Sequence, residues 1–381
     1  MEYLVFDALR DISSHMFIPT PLQPLIRTRF ALLFIPLFCG LMLGSAAHAM
    51  GPKAPLPAPL PKPGSMSEFN SAWDAYTNEM KAQPIQENCK PRRIHPNPAV
   101  ASRGAVFLFH GFTACPQQFF EWSNELTAAG FEVFLPLLPG HGRMKHETGP
   151  DAGKTDHSML PDAGHWEQWL EYTDKMVRLM SLYPGKRQLG GLSVGGAVAL
   201  MASQEAPELF ERQLVFTPFL FVSDLFAQQF LIPTLSFFAT NVERGWGPGC
   251  YDELALGRAG ICDFSIGQIG AIQRFGSYVA SHIKAIAAQT LIVGVEHDPV
   301  VDIGHILEVL KNLGAGPAQV SACFTPHDVN HSMLSRFDSP HEDKYWIGAV
   351  NQQATRYMVK GIPFDVTGPS AHQPYDSCRV R

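Results

Sequence analysis

The stretch LGGLSVGGAVAL, residues 189–200, decides how the rest of the chain is interpreted. It contains Gly191-Leu192-Ser193-Val194-Gly195, which fits the pattern G-x-S-x-G. Residues 186–190 before it suit a short strand, and the small and apolar residues 196–202 after it suit a buried helix. Strand, sharp turn and helix is the context in which this pattern presents a reactive serine. An ordinary glycine-rich turn with an incidental serine stays open on this stretch alone, because the pattern is short.

Length and charge limit the classes of protein that the chain can represent. Its 381 residues are enough for one large α/β domain with a sizeable core. The formal net charge of −6 argues against a nucleic-acid partner, since such proteins carry a basic face. The 26 phenylalanines argue for a globular chain rather than a disordered one.

The N-terminal region resembles an export signal. Arg27 and Arg29 precede an apolar run over residues 30–43, and Ala47-His48-Ala49 fits an A-x-A cleavage site. A membrane anchor is the alternative, but the run is short for a spanning helix and contains Pro36. We therefore assign residues 1–49 to a signal peptide region. We expect an exported protein, periplasmic or secreted, with no stable membrane span in the mature chain.

Composition suggests where the folded domain begins and ends. Residues 50–65 are proline-dense and predict an extended linker. The α/β domain is expected over residues 66–365, followed by a tail over residues 366–381. Export permits disulfides, and Cys250 and Cys262 are the favoured pair because they are closest in sequence around a glycine-rich loop. Sequence alone does not fix the connectivity.

Strand and helix patterns alternate from residue 104 onward. Apolar runs predict strands at residues 105–109, 131–135, 212–216, 290–295 and 319–324, besides the strand before Ser193. Helical patterns fall at residues 67–83, 116–129, 166–183, 303–313 and 344–359, and residues 89–94 suit an edge strand. The expected fold class is α/β, a mostly parallel twisted sheet with helices on both faces.

The stretch of residues 219–280 interrupts this alternation and is too long for a simple connection. It is rich in phenylalanine, including Phe219, Phe221, Phe226 and Phe230. Ordinary core helices would explain that composition. We favour an inserted cap that covers the active site with an apolar surface.

A nucleophilic Ser193 requires a base, and the base requires an acid that orients it. Asp298 follows the strand of residues 290–295, and His331 follows the strand of residues 319–324. Loops at the carboxyl ends of parallel strands face the ligand side of an open sheet. A triad whose serine lies on a turn between a strand and a helix of an open α/β sheet has the chain order serine, acid, histidine, and Ser193, Asp298 and His331 follow that order.

Other residues could take the roles of acid and base. Glu296 and Asp302 compete for the acid, and His327 competes for the base. Glu296 is closer to the strand end and Asp302 suits the start of the next helix, so Asp298 is preferred. A turn aspartate at 298 and a helix-capping region at 331 are the non-catalytic alternatives.

An oxyanion hole needs two backbone N–H donors that are in place before the reaction. The first is expected from Val194, the residue after the nucleophile. The second is expected from the loop His110-Gly111-Phe112-Thr113, where Gly111 gives the backbone freedom to turn and Phe112 donates. A backbone donor has no side-chain signature, so both assignments depend on position.

No motif in the chain indicates a cofactor or metal. Dinucleotide and phosphate-loop fingerprints are missing from the sequence. His141, His146, His157 and His165 crowd one loop, but their irregular spacing is more typical of solvated loop residues than of metal ligands. We therefore expect neither a cofactor nor a metal.

In order, the segments HGFTACP, LPLLPGHG, GHWEQW, GLSVGG, EHDPVV and NHSML resemble the α/β-hydrolase superfamily, and more narrowly bacterial carboxylesterases and monoacylglycerol lipases. The resemblance spans residues 105–359. It implies Ser193 as nucleophile, Asp298 as acid, His331 as base, and Phe112 and Val194 as oxyanion donors. It departs from the family at Val194, where methionine is usual, and in the long polar stretch of residues 143–164.

The expected activity is hydrolysis of carboxylic esters, with short- to medium-chain acyl or monoacylglycerol substrates, small-molecule or lipid. Acyl transfer, or cleavage of peptide or carbon–carbon bonds, is possible with the same triad. A non-catalytic binding protein with this fold is the alternative from another class. The intact set of Ser193, Asp298 and His331 argues against it.

Overall fold

The computed structural model describes residues 59–145, 154–223, 232, 235–236, 242–245, 248–283, 286–295, 298–311, 320–324, 331–340 and 343–364. The chain divides into two units, Met1–Pro59 and Leu60–Arg381, and every element below belongs to the second. The predicted signal region (1–49), the predicted tail (366–381) and most of the predicted linker (50–65) lie outside the described residues. Residues 59–65 form neither helix nor strand.

The strands of the described residues are β1 Arg92–Ile94, β2 Gly104–Phe109, β3 Phe131–Leu135, β4 Arg187–Leu192, β5 Arg212–Phe216, β6 Glu243–Gly245, β7 Asp263–Ser265, β8 Gln289–Val295 and β9 Val320–Phe324. Seven of them form the central sheet, in the order β1-β3-β2-β4-β5-β8-β9. All neighbours in this sheet are parallel except β1 and β3. A separate antiparallel pair is formed by β6 and β7.

Helices cover both faces of the large sheet. They are α1 Met66–Lys81, α2 Phe120–Ala128, α3 Gln168–Ser181, α4 Val194–Glu205, α5 Pro248–Ala255, α6 Ile266–His282, α7 Ile303–Lys311 and α8 Ile347–Lys360. The buried side chains of α1, α3, α4 and α6 join one apolar cluster. Those of α2 and α8 join another.

Strand β2 shows why the sequence produces two apolar layers. Side chains alternate between the two faces of a strand. Ala105, Phe107 and Phe109 accordingly enter one cluster, and Val106 and Leu108 enter the other. Every residue of β2 is buried. A continuous apolar run is therefore required here, because a strand covered on both faces has no solvated side for polar residues.

The expected fold class is confirmed: the sheet is mostly parallel and helices lie on both of its faces. Strands β3 and β5 have the predicted limits, and the other strands agree to within a few residues. The predicted edge strand is shorter than expected, since only Arg92–Ile94 pairs with β3. The helix predicted at residues 116–129 begins with a separate 3₁₀ turn, Pro116–Phe119.

The segment predicted to be a cap lies between β5 and β8 and is described in part. It contains α5, α6 and the pair β6–β7. The favoured cysteine pair is confirmed, because Cys250 and Cys262 form a disulfide with their Cα atoms 5.7 Å apart. A second disulfide joins Cys89 and Cys115. The domain limits and the role of this segment as a cap stay predictions.

Among the described residues, none of the helices combines the length and the hydropathy needed to cross a membrane.

Candidate active site

Ser193 occupies a strained turn between β4 and α4. Its backbone has φ 56° and ψ −119°, a conformation that residues other than glycine seldom adopt. The Ser193 N–H donates to the carbonyl oxygen of Phe216 at 2.9 Å, and its own carbonyl accepts from the N–H of Phe219 at 2.9 Å. Bonds to the neighbouring segment therefore hold the turn in this conformation. Strain of this kind persists only where the surroundings enforce it, and it is concentrated at functional sites.

The glycines around Ser193 are required by close backbone contacts. A Cβ atom on Gly191 would lie 2.2 Å from the carbonyl oxygen of Gly195. A Cβ atom on Gly195 would lie 1.9 Å from the carbonyl oxygen of Phe109 at the end of β2. Any larger residue would push α4 away from the sheet. The G-x-S-x-G pattern therefore has a steric cause in this fold.

Sheet topology brings the loop after β2 next to Ser193. Strands β2 and β4 are parallel neighbours, with Phe109 opposite Gly191. The chain moves from β2 to β3 in one direction and then to β4 on the other side of β2. Such a switch point opens a crevice at the carboxyl ends of the strands. A Cβ atom placed on Gly111 would lie 3.7 Å from the Ser193 Cβ, so this loop and the serine share one site.

His110 orients the peptide unit that carries the Phe112 N–H. The His110 Nε2 accepts a hydrogen bond from the Leu138 N–H at 3.1 Å. The proton must then be on Nδ1, which donates to the Gly111 carbonyl oxygen at 2.8 Å. Burial and the nearby His141 hold the pKa of His110 well below its usual range, so the ring is neutral. In a trans peptide the C=O and N–H point in opposite directions. The Phe112 N–H therefore points away from the His110 ring.

His141 holds the next peptide unit of the same loop. Its Nε2 lies 2.5 Å from the Phe112 carbonyl oxygen, and its Nδ1 lies 2.9 Å from the Pro139 carbonyl oxygen. Burial lowers the pKa of His141 to about 4. The ring therefore carries one N–H near neutral pH, and the shorter separation assigns it to Nε2.

The interpretation of His141 as a solvated loop residue is wrong. The residue is only 1% exposed. Of the other three histidines of this loop, His146 lies outside the described residues. His157 is half-buried, and His165 is exposed and bonded to Asp162. In the part of the chain that the structure describes, no group of three or more histidine, cysteine or acidic side chains is arranged to hold a metal ion.

The N–H groups of Phe112 and Val194 are both available. Neither has a hydrogen-bond partner among the described residues. The Val194 N–H is the first of α4, where the N–H groups of a helix have no partner within the helix. The helix dipole also favours negative charge at this end. Val194 follows Ser193 directly, and Phe112 follows Gly111, whose loop lies next to Ser193; their role as oxyanion donors stays a prediction.

Asp298 and His331 form a hydrogen-bonded pair. The His331 Nδ1 lies 2.7 Å from the Asp298 Oδ2. The other carboxylate oxygen accepts from the N–H groups of Val300 at 2.7 Å and Val301 at 3.1 Å. Asp298 is 3% exposed. Parallel pairing of β8 with β9, which sets Val295 opposite Phe324, brings the two loops together.

The competing residues have other positions. Asp302 begins helix α7, where its Oδ1 accepts from the His305 N–H at 3.0 Å. This helix-capping role is the one expected from sequence. Glu296 and His327 lie outside the described residues. The bond to His331 therefore singles out Asp298 over Asp302.

Sequence reasoning missed two residues that connect the loop after β2 to the segment that follows His331. Gln118 accepts from the Gly111 N–H at 2.8 Å and donates to the Asp338 Oδ2 at 2.6 Å. Gln118 is 2% exposed. Neither residue belongs to a short motif, and they are 220 residues apart. The sequence therefore carries no signal that could have paired them.

The disulfide-closed loop of residues 250–262 contacts the Phe112 loop from the other side. Arg258 and the Ile261 N–H both donate to the Thr113 carbonyl oxygen, at 3.1 and 3.0 Å. A Cβ atom on Gly260 would lie 2.2 Å from that same oxygen. The Cys89–Cys115 disulfide fixes the residue that precedes the 3₁₀ turn Pro116–Phe119. The loop after β2 is thus held from both ends.

Comparison with known proteins supports the fold assignment. Residues 100–247 match the sequence model of the family described as serine aminopeptidase, S33. No curated protein matches the sequence.

Three solved structures resemble the chain over most of their own length. A Paleococcus ferrophilus monoacylglycerol lipase is 15% identical, covers 71% of this chain and 98% of its own, and has a TM-score of 0.51. A Saccharomyces cerevisiae monoglyceride lipase is 15% identical, with coverage of 72% and 92% and a TM-score of 0.53. A metagenome-derived lipolytic enzyme is 19% identical, with coverage of 72% and 99% and a TM-score of 0.52. The protein therefore has the α/β-hydrolase fold.

Proposed function

We propose that the protein is a serine hydrolase that cleaves carboxylic esters, with Ser193 as nucleophile, His331 as base and Asp298 as the orienting acid. The observation that carries the proposal is the pairing of His331 Nδ1 with a buried carboxylate at 2.7 Å in a fold that sets Ser193 on a strained turn. This pairing fixes the tautomer in which Nε2 is free to accept a proton.

The reaction proceeds in two halves. His331 Nε2 takes the proton from the Ser193 hydroxyl as the oxygen attacks the ester carbonyl carbon. The N–H groups of Phe112 and Val194 bind the resulting oxyanion. Collapse breaks the bond to the alcohol, which leaves with the proton from His331. Water then attacks the acyl-enzyme and gives a proton to His331. As the bond between the acyl group and the Ser193 oxygen breaks, His331 returns that proton to the oxygen, so the acid departs and Ser193 is regenerated.

Asp298 contributes without changing its own protonation. Its negative charge supports the imidazolium that forms on His331, and its bonds from Val300 and Val301 keep the carboxylate fixed. The neutral rings of His110 and His141 hold the Phe112 loop before substrate arrives. Donors that are already oriented cost no reorganisation in the transition state.

The predicted cap supports a substrate with an apolar acyl group. Phe264 of β7 packs edge-on against Phe112, with ring centroids 5.7 Å apart. The Phe219 N–H is bonded to Ser193, and its side chain is buried in the same apolar cluster. On these apolar surroundings of Ser193 we base the expectation of short- to medium-chain esters or monoacylglycerols as substrates. The lipase titles of the similar structures point in the same direction.

The experiment compares the wild type with Ser193→Ala on p-nitrophenyl esters of graded chain length. We expect the variant to fold and to lose turnover and labelling by a fluorophosphonate probe. Retained turnover in the variant would refute the assignment of Ser193. A wild type that turns over no ester and does not react with the probe would indicate a non-catalytic binding protein.

Peptide-bond hydrolysis is a second candidate, because the matching family is described as a serine aminopeptidase. Aminoacyl p-nitroanilides distinguish it from ester hydrolysis in the same assay. Acyl transfer is tested by adding alcohol acceptors and analysing products. The predicted export is tested separately by the N-terminal sequence of the mature protein.

A further inference from the structure

We propose that Gln118 and Asp338 are positioning residues that lock the oxyanion-donating loop to the segment carrying His331. The inference rests on the proposed function. Both residues lie outside the triad and the oxyanion donors. Two hydrogen bonds in series connect the two segments, from the Gly111 N–H to Gln118 Oε1 at 2.8 Å and from Gln118 Nε2 to Asp338 Oδ2 at 2.6 Å.

The bond from the Gly111 N–H restrains the backbone of a residue that could otherwise adopt several conformations. Glycine samples backbone conformations that other residues avoid. The Gly111 carbonyl is already held by His110 at 2.8 Å and by the Ala114 N–H at 3.2 Å. Gln118 holds the N–H on the other side of the same residue. With both peptide units fixed, the Phe112 N–H has a single direction in the folded protein.

Asp338 determines which way the Gln118 amide faces. A glutamine side chain presents an acceptor at one end and a donor at the other, and a half-turn exchanges them. The Asp338 carboxylate accepts only, so it selects the orientation in which Nε2 faces Asp338 and Oε1 faces Gly111. A charged acceptor also makes the bond stronger than one between neutral groups. Without Asp338 the amide could turn its donor toward the Gly111 N–H and lose that bond.

The Asp338 segment is itself firmly attached. It forms a 3₁₀ turn, Arg336–Asp338, that follows the buried residues Met333 and Leu334. The Arg336 N–H donates to Glu121 Oε2 at 2.7 Å, and the Arg336 guanidinium pairs with the same carboxylate. His331 lies seven residues before Asp338 in this segment. The segment that carries the base therefore also supplies the anchor for the oxyanion loop.

Polar and charged groups around Asp338 act against the effect of its burial. Burial raises the pKa of the Asp338 carboxyl above its usual range, and Lys344, Gln118, Arg258 and His331 oppose part of that rise. Lys344 is 1% exposed and donates to the Ser335 carbonyl oxygen at 3.0 Å. The bond to Gln118 and the attachment of the Arg336–Asp338 turn to Glu121 keep this carboxylate in place. An anchor of this kind needs that rigidity, because a loop displaced by about 1 Å can cost on the order of 100-fold in rate.

The test compares Gln118→Leu with Gln213→Leu. Gln213 is a matched control: it is fully buried and forms two side-chain bonds, with Ser203 and Thr290, away from the loop. We expect Gln118→Leu to lower kcat by about tenfold or more with KM within about threefold, since the oxyanion donor acts on the transition state. Gln213→Leu should lose thermal stability and keep kcat.

Substitutions at Asp338 separate the hydrogen bond from the rest of the side chain. Asp338→Asn can still accept from Gln118 but also carries a donor, so its kcat should fall between those of the wild type and Asp338→Leu, while Asp338→Leu should resemble Gln118→Leu. The double variant Gln118→Leu with Asp338→Leu should be no slower than either single one, because the two residues act as one unit. A folded Gln118→Leu enzyme with kcat within about twofold of wild type would overturn the proposal. Equal losses of kcat in Gln118→Leu and Gln213→Leu would also overturn it.

A second readout does not depend on activity. Hydrogen–deuterium exchange of the peptide that covers residues 110–119 should become faster in Gln118→Leu and Asp338→Leu but not in Gln213→Leu. Unchanged exchange in both variants would contradict the link itself. If the wild type neither hydrolyses esters nor labels at Ser193, the proposed function fails, and the exchange measurement still decides whether Gln118 and Asp338 hold the loop.

Discussion

Replacing Gly195 with alanine tests the close approach between helix α4 and strand β2. The new Cβ would lie 1.9 Å from the Phe109 carbonyl oxygen and 2.5 Å from the His110 carbonyl oxygen. Both obstacles are backbone atoms, so no side chain can rotate away. Contacts shorter than 3.0 Å are essentially never seen for Cβ atoms, so the helix or the strand must move by about 1.1 Å, the difference between 3.0 and 1.9 Å.

Movement of that size should affect both stability and catalysis. Overpacking a core usually costs about 1–3 kcal/mol, and a backbone clash falls at or above the upper end. We therefore expect the free energy of unfolding to fall by about 3 kcal/mol, which corresponds to a drop in Tm of roughly 6 °C. Because α4 carries the Val194 N–H and follows Ser193 directly, kcat should fall about 100-fold.

The assay combines thermal unfolding with ester turnover, and Gly348→Ala is the control. Gly348 lies in helix α8, and a Cβ atom there would meet no heavy atom within 4 Å. Alanine at that position should stabilise the protein by about 0.5–1 kcal/mol and leave kcat unchanged. A Gly195→Ala enzyme with wild-type Tm and kcat would refute the argument that the glycines of this turn are required by packing.

Three further predictions concern the acid, a buried carboxyl and a disulfide. Asp298→Asn should lower kcat by about 10⁴, because an amide can donate to His331 Nδ1 and favour the wrong tautomer. Asp302→Asn still caps α7 and should keep kcat; similar rates for the two variants would contradict the assignment of the acid. Burial, aided by the charge of Asp174 and opposed by Arg178, raises the pKa of Glu205 from 4.5 to about 8. Between these two pH values the folded state keeps a proton on Glu205 that the unfolded state loses. The contribution of protonated Glu205 to the free energy of unfolding is therefore present in full below about pH 4.5 and is lost as pH rises through 8. In Glu205→Gln the fall in the free energy of unfolding from pH 5 to pH 9 should be smaller by on the order of 2 kcal/mol. Tm recorded across this pH range measures the difference, and the same slope in variant and wild type would contradict the prediction. Replacing Cys250 and Cys262 together with serine should cost about 2–4 kcal/mol and lower kcat, because their loop is bonded to the Thr113 carbonyl. Wild-type kcat in that double variant would mean that the loop does not support the site.

Some features of the fold and the site could be predicted from sequence patterns, and others could not. The strand limits of β3 and β5 followed from apolar runs bounded by glycine, proline and charged residues. Ser193, Asp298 and His331 could be predicted as a triad because each follows a strand whose pattern is visible in the sequence. The burial of His141 was not identified, since its loop is polar overall and the packing of a single histidine there leaves no periodic pattern.

The sequence by itself determined the alternation of strands and helices and the three residues expected to form the triad. Local chemistry suffices for these features, because glycine spacing, apolar runs and chain order act over short distances. The sequence favoured Asp298 over Asp302 without excluding Asp302; the tertiary structure shows that Asp298 meets His331, and it alone shows that Gln118 joins Gly111 to Asp338. Those choices depend on which loops the parallel order of β2, β4, β8 and β9 brings to the same edge of the sheet. Contacts between side chains more than 200 residues apart leave no local trace in one sequence.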